Sequence, residues 1–305
     1  MTLWQIMRRW RTVRKKLSEV VAINQRNLQW VYPYNARIDF PLADNKLLTK
    51  ERMAVVKVPM PRTFHTYSAF YQLRNLERDL SLLHEFVIKP ASGSAGSGIL
   101  VIASRCGDEW RGVDGTTYAL DDLARHITDI IFGIHSDELS DSAFIEERIH
   151  QHPVLHALCP FGLSDVRVIL FKGIPVMAML RLPTRQSHGK SNLHQGALGV
   201  GIDLKTGTAT HASHFGEEIT LHPDTRIELI GQPVPHWAEV IDLARRAASA
   251  VPLGYLGVDI AISREGPRLL EINVRPGLEI QNVNGKGLGP VLQDVLRQTA
   301  AGGGR

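Results

Sequence analysis

The stretch Tyr255–Val274 constrains this chain more than any other. Two almost unbroken apolar runs, Tyr255–Ser263 and Arg268–Val274, flank a short Arg264-Glu-Gly-Pro267 turn. Runs of that length bounded by turn residues predict an antiparallel strand pair in a largely buried sheet. The pair nevertheless carries Asp259 on one strand and Glu271 and Asn273 on the next. Side chains two apart on a strand share a face, and a turn symmetric about Glu265 sets Asp259 directly across from Glu271. Three oxygen donors then converge where an uncompensated acid would be costly. Such a set suits Mg²⁺, which takes a few carboxylate or amide ligands and fills its octahedron with water and substrate phosphates. The competing reading is a carboxylate pair on a solvated strand.

A second signal lies upstream. Phe86-Val-Ile-Lys-Pro90 reads as a buried strand, followed by Ala91–Gly98, built from Ala, Ser and Gly, and by a further strand from Ile99 to Ala103. Small residues let backbone N–H groups approach and cradle phosphates, and Lys89 adds a point charge. A Walker loop is excluded, because Ile99 and Leu100 stand where it requires Lys and Ser or Thr. A flexible hairpin tip is the bland alternative. A third signal is basic: Asp165, Arg167 and Arg181 lie on a hairpin turning at Lys172-Gly173, and Lys190-Ser-Asn-Leu-His-Gln-Gly196 follows. Arg167 and Arg181 on one sheet face would clamp a phosphate or carboxylate, whereas singly each reads as a surface ion pair. The histidines (His152 and His156 with Cys159, His211 with His214) supply no closed tetrahedral zinc quartet.

Further elements follow from pattern. Asp44–Leu83 reads as mostly helical apart from Pro59-Met-Pro61, Asp121–Ile131 as a helix and Ala143–Ile149 as a strand. A hairpin turns at Lys205-Thr-Gly207, and Pro235–Ala250 is a helix with Trp237, Val240, Ile241, Ala244 and Ala247 near one face. Among 305 residues, 44% are hydrophobic and 22% charged, which excludes wholesale disorder. No apolar stretch approaches the ~20 residues that span a bilayer. Two cysteines build no disulfide framework, and a reducing cytoplasm suits them.

The net charge of +4 resolves into two parts. Residues 1–16 hold six basic residues (Arg8, Arg9, Arg11, Arg14, Lys15, Lys16) and no acid, leaving 29 basic against 31 acidic elsewhere. The body is near neutral, so no nucleic-acid partner is expected. Leu3, Ile6, Trp10, Val13, Leu17 and Val20 recur at spacings of three and four, the pattern of an amphipathic helix. Two readings stand: a helix packed on the body with a solvated basic face, or one docked on an anionic membrane, a partner protein or a second copy. Trp30–Pro41 reads as an irregular connector.

Taken in order, these pieces resemble the ATP-grasp superfamily. The carrying residues are Asp44-Asn-Lys46, Phe86–Pro90 with its loop, Phe144-Ile-Glu-Glu-Arg148, Asp165-Val-Arg167, Arg181, Ser191–Gly196, Asp259 and Glu271-Ile-Asn-Val-Arg-Pro-Gly277. Pro235-His-Trp, Tyr255–Ala261 and Pro276–Gly285 look like the RimK-like alpha-L-glutamate-ligase-related, sugar-transfer-associated branch. The resemblance covers about residues 44–290. It implies an α+β ATP-grasp fold, two lobes gripping ATP. Residues 1–43 would be the basic helix and connector, 44–147 the small lobe, 148–298 the large lobe and 299–305 a frayed tail.

The resemblance also implies roles. Lys46, Lys89 and the loop Ser92, Gly93, Ser94, Gly96, Ser97 and Gly98 would hold ATP phosphates. Backbone groups of Glu147 and Arg148 would meet adenine, with Asp165 near the ribose. Arg181, Lys190 and Asn192, with Arg167, would reach the transferring phosphate or acyl phosphate, and Arg275 the acid substrate. Asp259, Glu271 and Asn273 would hold one or two Mg²⁺ ions, which Mn²⁺ could replace. The implied activity is ATP-dependent amide formation between a carboxylic acid and an amine. The same cleft would also serve kinase-like phosphoryl transfer or a non-catalytic ATP-binding module. Such ligases usually carry an α/β domain ahead of the residue matching Lys46. The short stretch 1–43 in its place implies an opened or partner-completed substrate pocket, suited to glutamate or to a larger substrate such as a peptide.

Overall fold

The computed structural model describes residues 19–93, 96–136 and 140–302. Most of the expected N-terminal amphipathic stripe, Ser94 and the end of the Gly-rich tail lie outside these residues. Two antiparallel sheets flank a cleft of about 1770 Å³. The first comprises β1 (Thr63–Tyr67), β2 (Phe86–Pro90), β3 (Leu100–Cys106), β4 (Glu109–Gly112), β5 (Thr117–Tyr118) and β6 (Ala143–Glu146), in the order β1-β6-β2-β3-β4-β5. Its period-two alternation separates two tasks. Phe86, Ile88, Ile102, Ala143 and Ile145 form one core with Leu123, Ile127 and Ile130 of the helix α2 (Leu120–Ile131). Val87, Lys89, Val101 and Glu146 turn the other way and line the cleft.

The second sheet comprises β7 (Asp165–Phe171), β8 (Ile174–Leu182), β9 (Leu198–Ile202), β10 (Ala209–His214), β11 (Glu217–Glu218), β12 (Tyr255–Ser263) and β13 (Gly266–Asn273). Its order is β11-β10-β9-β8-β7-β12-β13. Leu256, Val258, Ile260 and Ile262 belong to a core completed by Val240, Leu243, Ala244 and Ala247 of the helix α3 (Trp237–Ser249). The helix α4 (Glu279–Val283) presses onto β9, where Gly199 removes the Cβ that would sit 2.4 Å from Val283. The helix α5 (Gly289–Gly302) adds Leu292 and Val295 to the same core.

Three sequence expectations are corrected. Thr63–Tyr67 is the edge strand β1 rather than helix, because Pro59 and Pro61 bar helix continuation and β6 offers a free edge. Trp30–Pro41, read as an irregular connector, begins inside the helical turn Arg26–Val31 and is packed in place: Trp30 and Val31 are buried, and Trp30 and Tyr34 both meet Phe171 edge-on, at 5.4 and 4.8 Å between centroids. The helix α1 (Lys46–Val55), grouped by sequence with the small lobe, buries Met53 in the core of the seven-stranded sheet. The pattern also missed β4 and β5, whose short strands carry little apolar periodicity.

Buried polar groups fasten residues 21–35 to β12 of the seven-stranded sheet and to the segment Pro276–Gln281 that follows β13. Asn35 accepts from the Tyr255 N–H at 2.9 Å and donates to the Tyr255 carbonyl at 2.7 Å. Gln281 pairs in the same manner with the backbone of Val21, and Arg26 donates to the Pro276 carbonyl at 2.8 Å. Replacing Asn35 by Ala leaves two buried backbone groups unpaired, so we expect a loss of about 2–4 kcal/mol in urea unfolding. Ile38→Ala, at an 86% exposed side chain, should stay within about 0.5 kcal/mol of the parent.

Candidate active site

The cleft is built from the facing surfaces of the two sheets. On the seven-stranded side, β12 and β13 set Asp259 opposite Glu271, as the turn symmetry predicted. The register then slips between Asp259 and Ile260, which pairs with Leu269. This bulge turns Leu270 and Glu271 both toward the cleft while Leu269 stays in the core. Asn273 donates to both Asp259 Oδ2 and Glu271 Oε1 at 3.3 Å, so the three side chains converge.

Asp259 is nearly inaccessible, at 1% exposure, and is held by arginines. Arg167 contacts it bidentately, Nε to Oδ1 at 2.7 Å and Nη2 to Oδ2 at 2.6 Å, and Arg181 Nη2 adds a 2.7 Å bond. Arg181 Nε reaches Asp165 Oδ1 at 2.6 Å. Burial alone would raise the Asp259 carboxyl; Arg167 and Arg181 overcome it and hold the group well below the usual carboxylate range. Asp165 responds oppositely: burial, reinforced by Asp259, pushes it up to about 6 against the pull of Arg181. The expected free anion clamp of Arg167 and Arg181 is therefore closed on two carboxylates. Asp165 lines the cleft but is buried, with its Oδ1 taken by Arg181.

The donor set fits Mg²⁺: two carboxylates and an amide supply hard oxygens on adjacent strands. Among the described residues no group of three His, Cys, Asp or Glu ligands occurs; the third donor here is an amide. Four N–H groups converge on Asp259, about as many as a carboxylate accepts. Three of the four fall on Oδ2 and one on Oδ1, so Oδ1 keeps a lone pair for a cation, while the Asn273 amide, which presents Nδ2 to both acids, must flip to offer its oxygen.

The opposite wall is cationic. Asn45 caps α1, accepting from the Leu47 and Leu48 N–H groups, and starts the helix where Lys46 points inward. Lys46 is buried and donates to the Gly93 carbonyl at 2.5 Å; burial lowers its pKa. One turn on, Lys50 was missed by sequence reasoning, although its i+4 spacing from Lys46 marks the same helix face. Its ammonium lies 2.7 Å from Glu146 Oε2, while Lys89 lies 2.5 Å from Oε1. Burial would raise the Glu146 carboxyl, but Lys89 and Lys50 hold it below the usual range. Lys50 and Lys89 share Glu146, while Lys46, bonded to the Gly93 carbonyl, feels Glu271 across the cleft and the buried Asp141.

Other expected residues are placed unevenly. Gly96, Glu147, Arg148, Lys190 and Asn192 line the cleft. The Glu147 N–H is bonded to the Arg62 carbonyl at 2.8 Å, so that amide is not free for a base. Arg148 turns to Glu85 at 3.0 Å, and Asn192 Oδ1 accepts from the His194 N–H. Ser92 donates its N–H to Asp141, and Ser97 Oγ lies 3.3 Å from His135 Nδ1, where a Cβ on Gly98 would collide. Arg275 does not line the cleft; its guanidinium stacks 5.7 Å over Phe40.

The model of one family, described as sugar-transfer associated ATP-grasp, matches residues 25–297. The chain belongs to that family. Among curated relatives, it is 24% identical over 257 residues to a probable alpha-L-glutamate ligase of Maridesulfovibrio salexigens, covering 84% of this chain and 64% of that protein. A probable alpha-L-glutamate ligase of Ectopseudomonas mendocina is 23% identical, with 92% and 72% coverage. The chain thus spans about two thirds of the length of these relatives. Among solved structures, the ATP-grasp ligase PsnB complexed with a minimal precursor is similar at 18% identity and TM-score 0.45, over 87% of this chain and 64% of that one. The D-alanine–D-alanine ligase of Bacillus anthracis complexed with ATP is similar at 14% identity and TM-score 0.46, with 84% and 64% coverage.

Removing Lys50 strips one partner from a buried carboxylate. Lys50→Met is expected to cost about 1–3 kcal/mol in urea unfolding, because Glu146 Oε2 loses its partner. Glu146→Gln combined with Lys50→Met should recover part of that loss, and additive losses would disprove the coupling.

Proposed function

We propose that this protein is an ATP-dependent carboxylate–amine ligase. The observation that carries the reading is the pairing of walls. Lys46, and Lys89 paired with Glu146, face across one cleft a sheet that bears Arg167 and Arg181 together with Asp259, Glu271 and Asn273. Membership of the ATP-grasp family supports the same reading.

Lys46 and Lys89 bind the phosphate chain as point charges in a site of low dielectric, where such contacts are strong. Val87, Val101, Met179 and Leu270 offer apolar surface for the flat base, and the backbone beyond Glu147 meets its edge. Mg²⁺, with Mn²⁺ as a substitute, would be held by Asp259, Glu271 and Asn273, and would neutralise charge on the phosphates. The substrate carboxylate attacks the γ-phosphorus, an acyl phosphate forms and ADP departs. The amine then adds to the acyl carbon and phosphate leaves, the proton passing to solvent. Arg181, with Arg167 once turned from Asp259, orients the transferring phosphoryl group and stabilises its charge. Lys190 and the Asn192 amide nitrogen extend the donor set toward the acid. No protein nucleophile is needed. Glutamate fits the acid or amine role, as does a peptide in a cleft of this size; Arg275 contributes to acid recognition only by leaving Phe40.

The test is ADP release over a panel of acids and amines, with mass spectrometry of the product. A new amide and free phosphate are expected, while phosphate retained on the product would establish a kinase. EDTA should abolish turnover and Mg²⁺ restore it. Glu271→Gln should reduce it about 10²–10³-fold; full turnover in that variant would refute the metal assignment.

A further inference from the structure

We infer that the N-terminal face of this protein docks on an anionic lipid surface. The helical stretch Ile23–Val31 has two sides. Trp30 and Val31 are buried against the sheet, while Ile23 and Leu28 are 63% and 67% exposed. Part of this stretch closes i→i+5 bonds, as in Tyr32 N–H to the Asn27 carbonyl at 2.9 Å, so residues five apart lie near one another on one side. Ile38 follows at 86% exposure and Val20 precedes at 38%. A surface helix normally turns such a side polar. Beside it a shallow groove of about 570 Å³ runs between Val20–Asn24 and Leu278–Asn282.

Charge decides what this face meets. Residues 1–43 carry eight basic and two acidic residues, a net of +6, against a net of −2 for the remainder. Directly before Val20, the sequence interleaves Leu3, Ile6, Trp10, Val13 and Leu17 with the six basic residues and no acid through position 16. Aliphatic and Trp residues interleaved with Arg and Lys at helical spacing are the composition of segments that lie in a lipid headgroup layer. The excess lies in residues 1–16, since residues 17–43 balance Arg26 and Arg37 against Glu19 and Asp39, and a contact between copies would bring two such basic segments together, which like charge opposes. Anionic headgroups supply the complementary sign and an apolar layer for Ile23 and Leu28.

The experiment is sedimentation of the full chain with phosphatidylcholine vesicles, alone or with about 30% phosphatidylglycerol, without nucleotide. This readout is independent of ligase activity. We expect at least about tenfold tighter binding to the anionic vesicles, lost as salt rises from about 0.05 to 0.5 M. Gln at Arg8, Arg9, Arg11, Arg14, Lys15 and Lys16 should abolish the preference. Ile23→Ser with Leu28→Ser, at exposed positions that leave folding intact by thermal melt, should weaken binding several-fold. No binding, equal binding to neutral vesicles, or a light-scattering dimer broken by the Ile23/Leu28 variant would overturn the proposal.

Discussion

A carboxylate as deeply buried as Asp259 must be compensated, and that requirement organises the cleft. An unpaired ion there would cost several kcal/mol. Arg167 and Arg181 meet it from the adjoining strands β7 and β8, and Arg181 in turn draws in Asp165. Each compensating group needs a strand to hold it at the right depth. The antiparallel register Asp259 opposite Arg167 and Asp165 opposite Arg181 supplies that alignment. The opposite wall repeats the logic with reversed sign, Lys50 and Lys89 closing on the buried acid Glu146 with Lys46 anchored beside them on the Gly93 carbonyl. Two charged clusters of unlike composition thus face one volume, and a polyanion with an attendant cation matches both.

Much of this was legible because short-range rules govern it. The strand pair Tyr255–Ser263 and Gly266–Asn273 followed from apolar runs around a turn, and the pairing of Asp259 with Glu271 from counting across that turn. The hairpin at Lys172-Gly173 likewise places its strands at Asp165–Phe171 and Ile174–Leu182. What escaped notice depends on contacts distant in sequence. The bulge that directs Leu270 into the cleft leaves no local mark. Lys50 reads as a solvated helix residue until Glu146, 96 positions away, is brought to it. Arg275 looked like a substrate ligand from its motif, but the aromatic face of Phe40 holds its guanidinium outside the cleft wall.

The helix α1 belongs by packing to one sheet and by charge to the other. Met53 is rooted in the core of the seven-stranded sheet, while the Lys50 ammonium is bonded to Glu146 of β6 and to the Pro61 carbonyl ahead of β1. It therefore ties one sheet to the other, alongside its own Lys46 N–H bond to the Ala91 carbonyl at 2.8 Å and the Arg268–Glu147 pair at 3.5 Å. Pure separation of the walls stretches a buried ion pair at once, whereas rotation about a line through Lys50 leaves it intact. The lysines that face the cleft are carried on the elements that make this tie, Lys46 on the helix itself and Lys89 on the strand beside Glu146, so their spacing is set by the same contact that joins the walls.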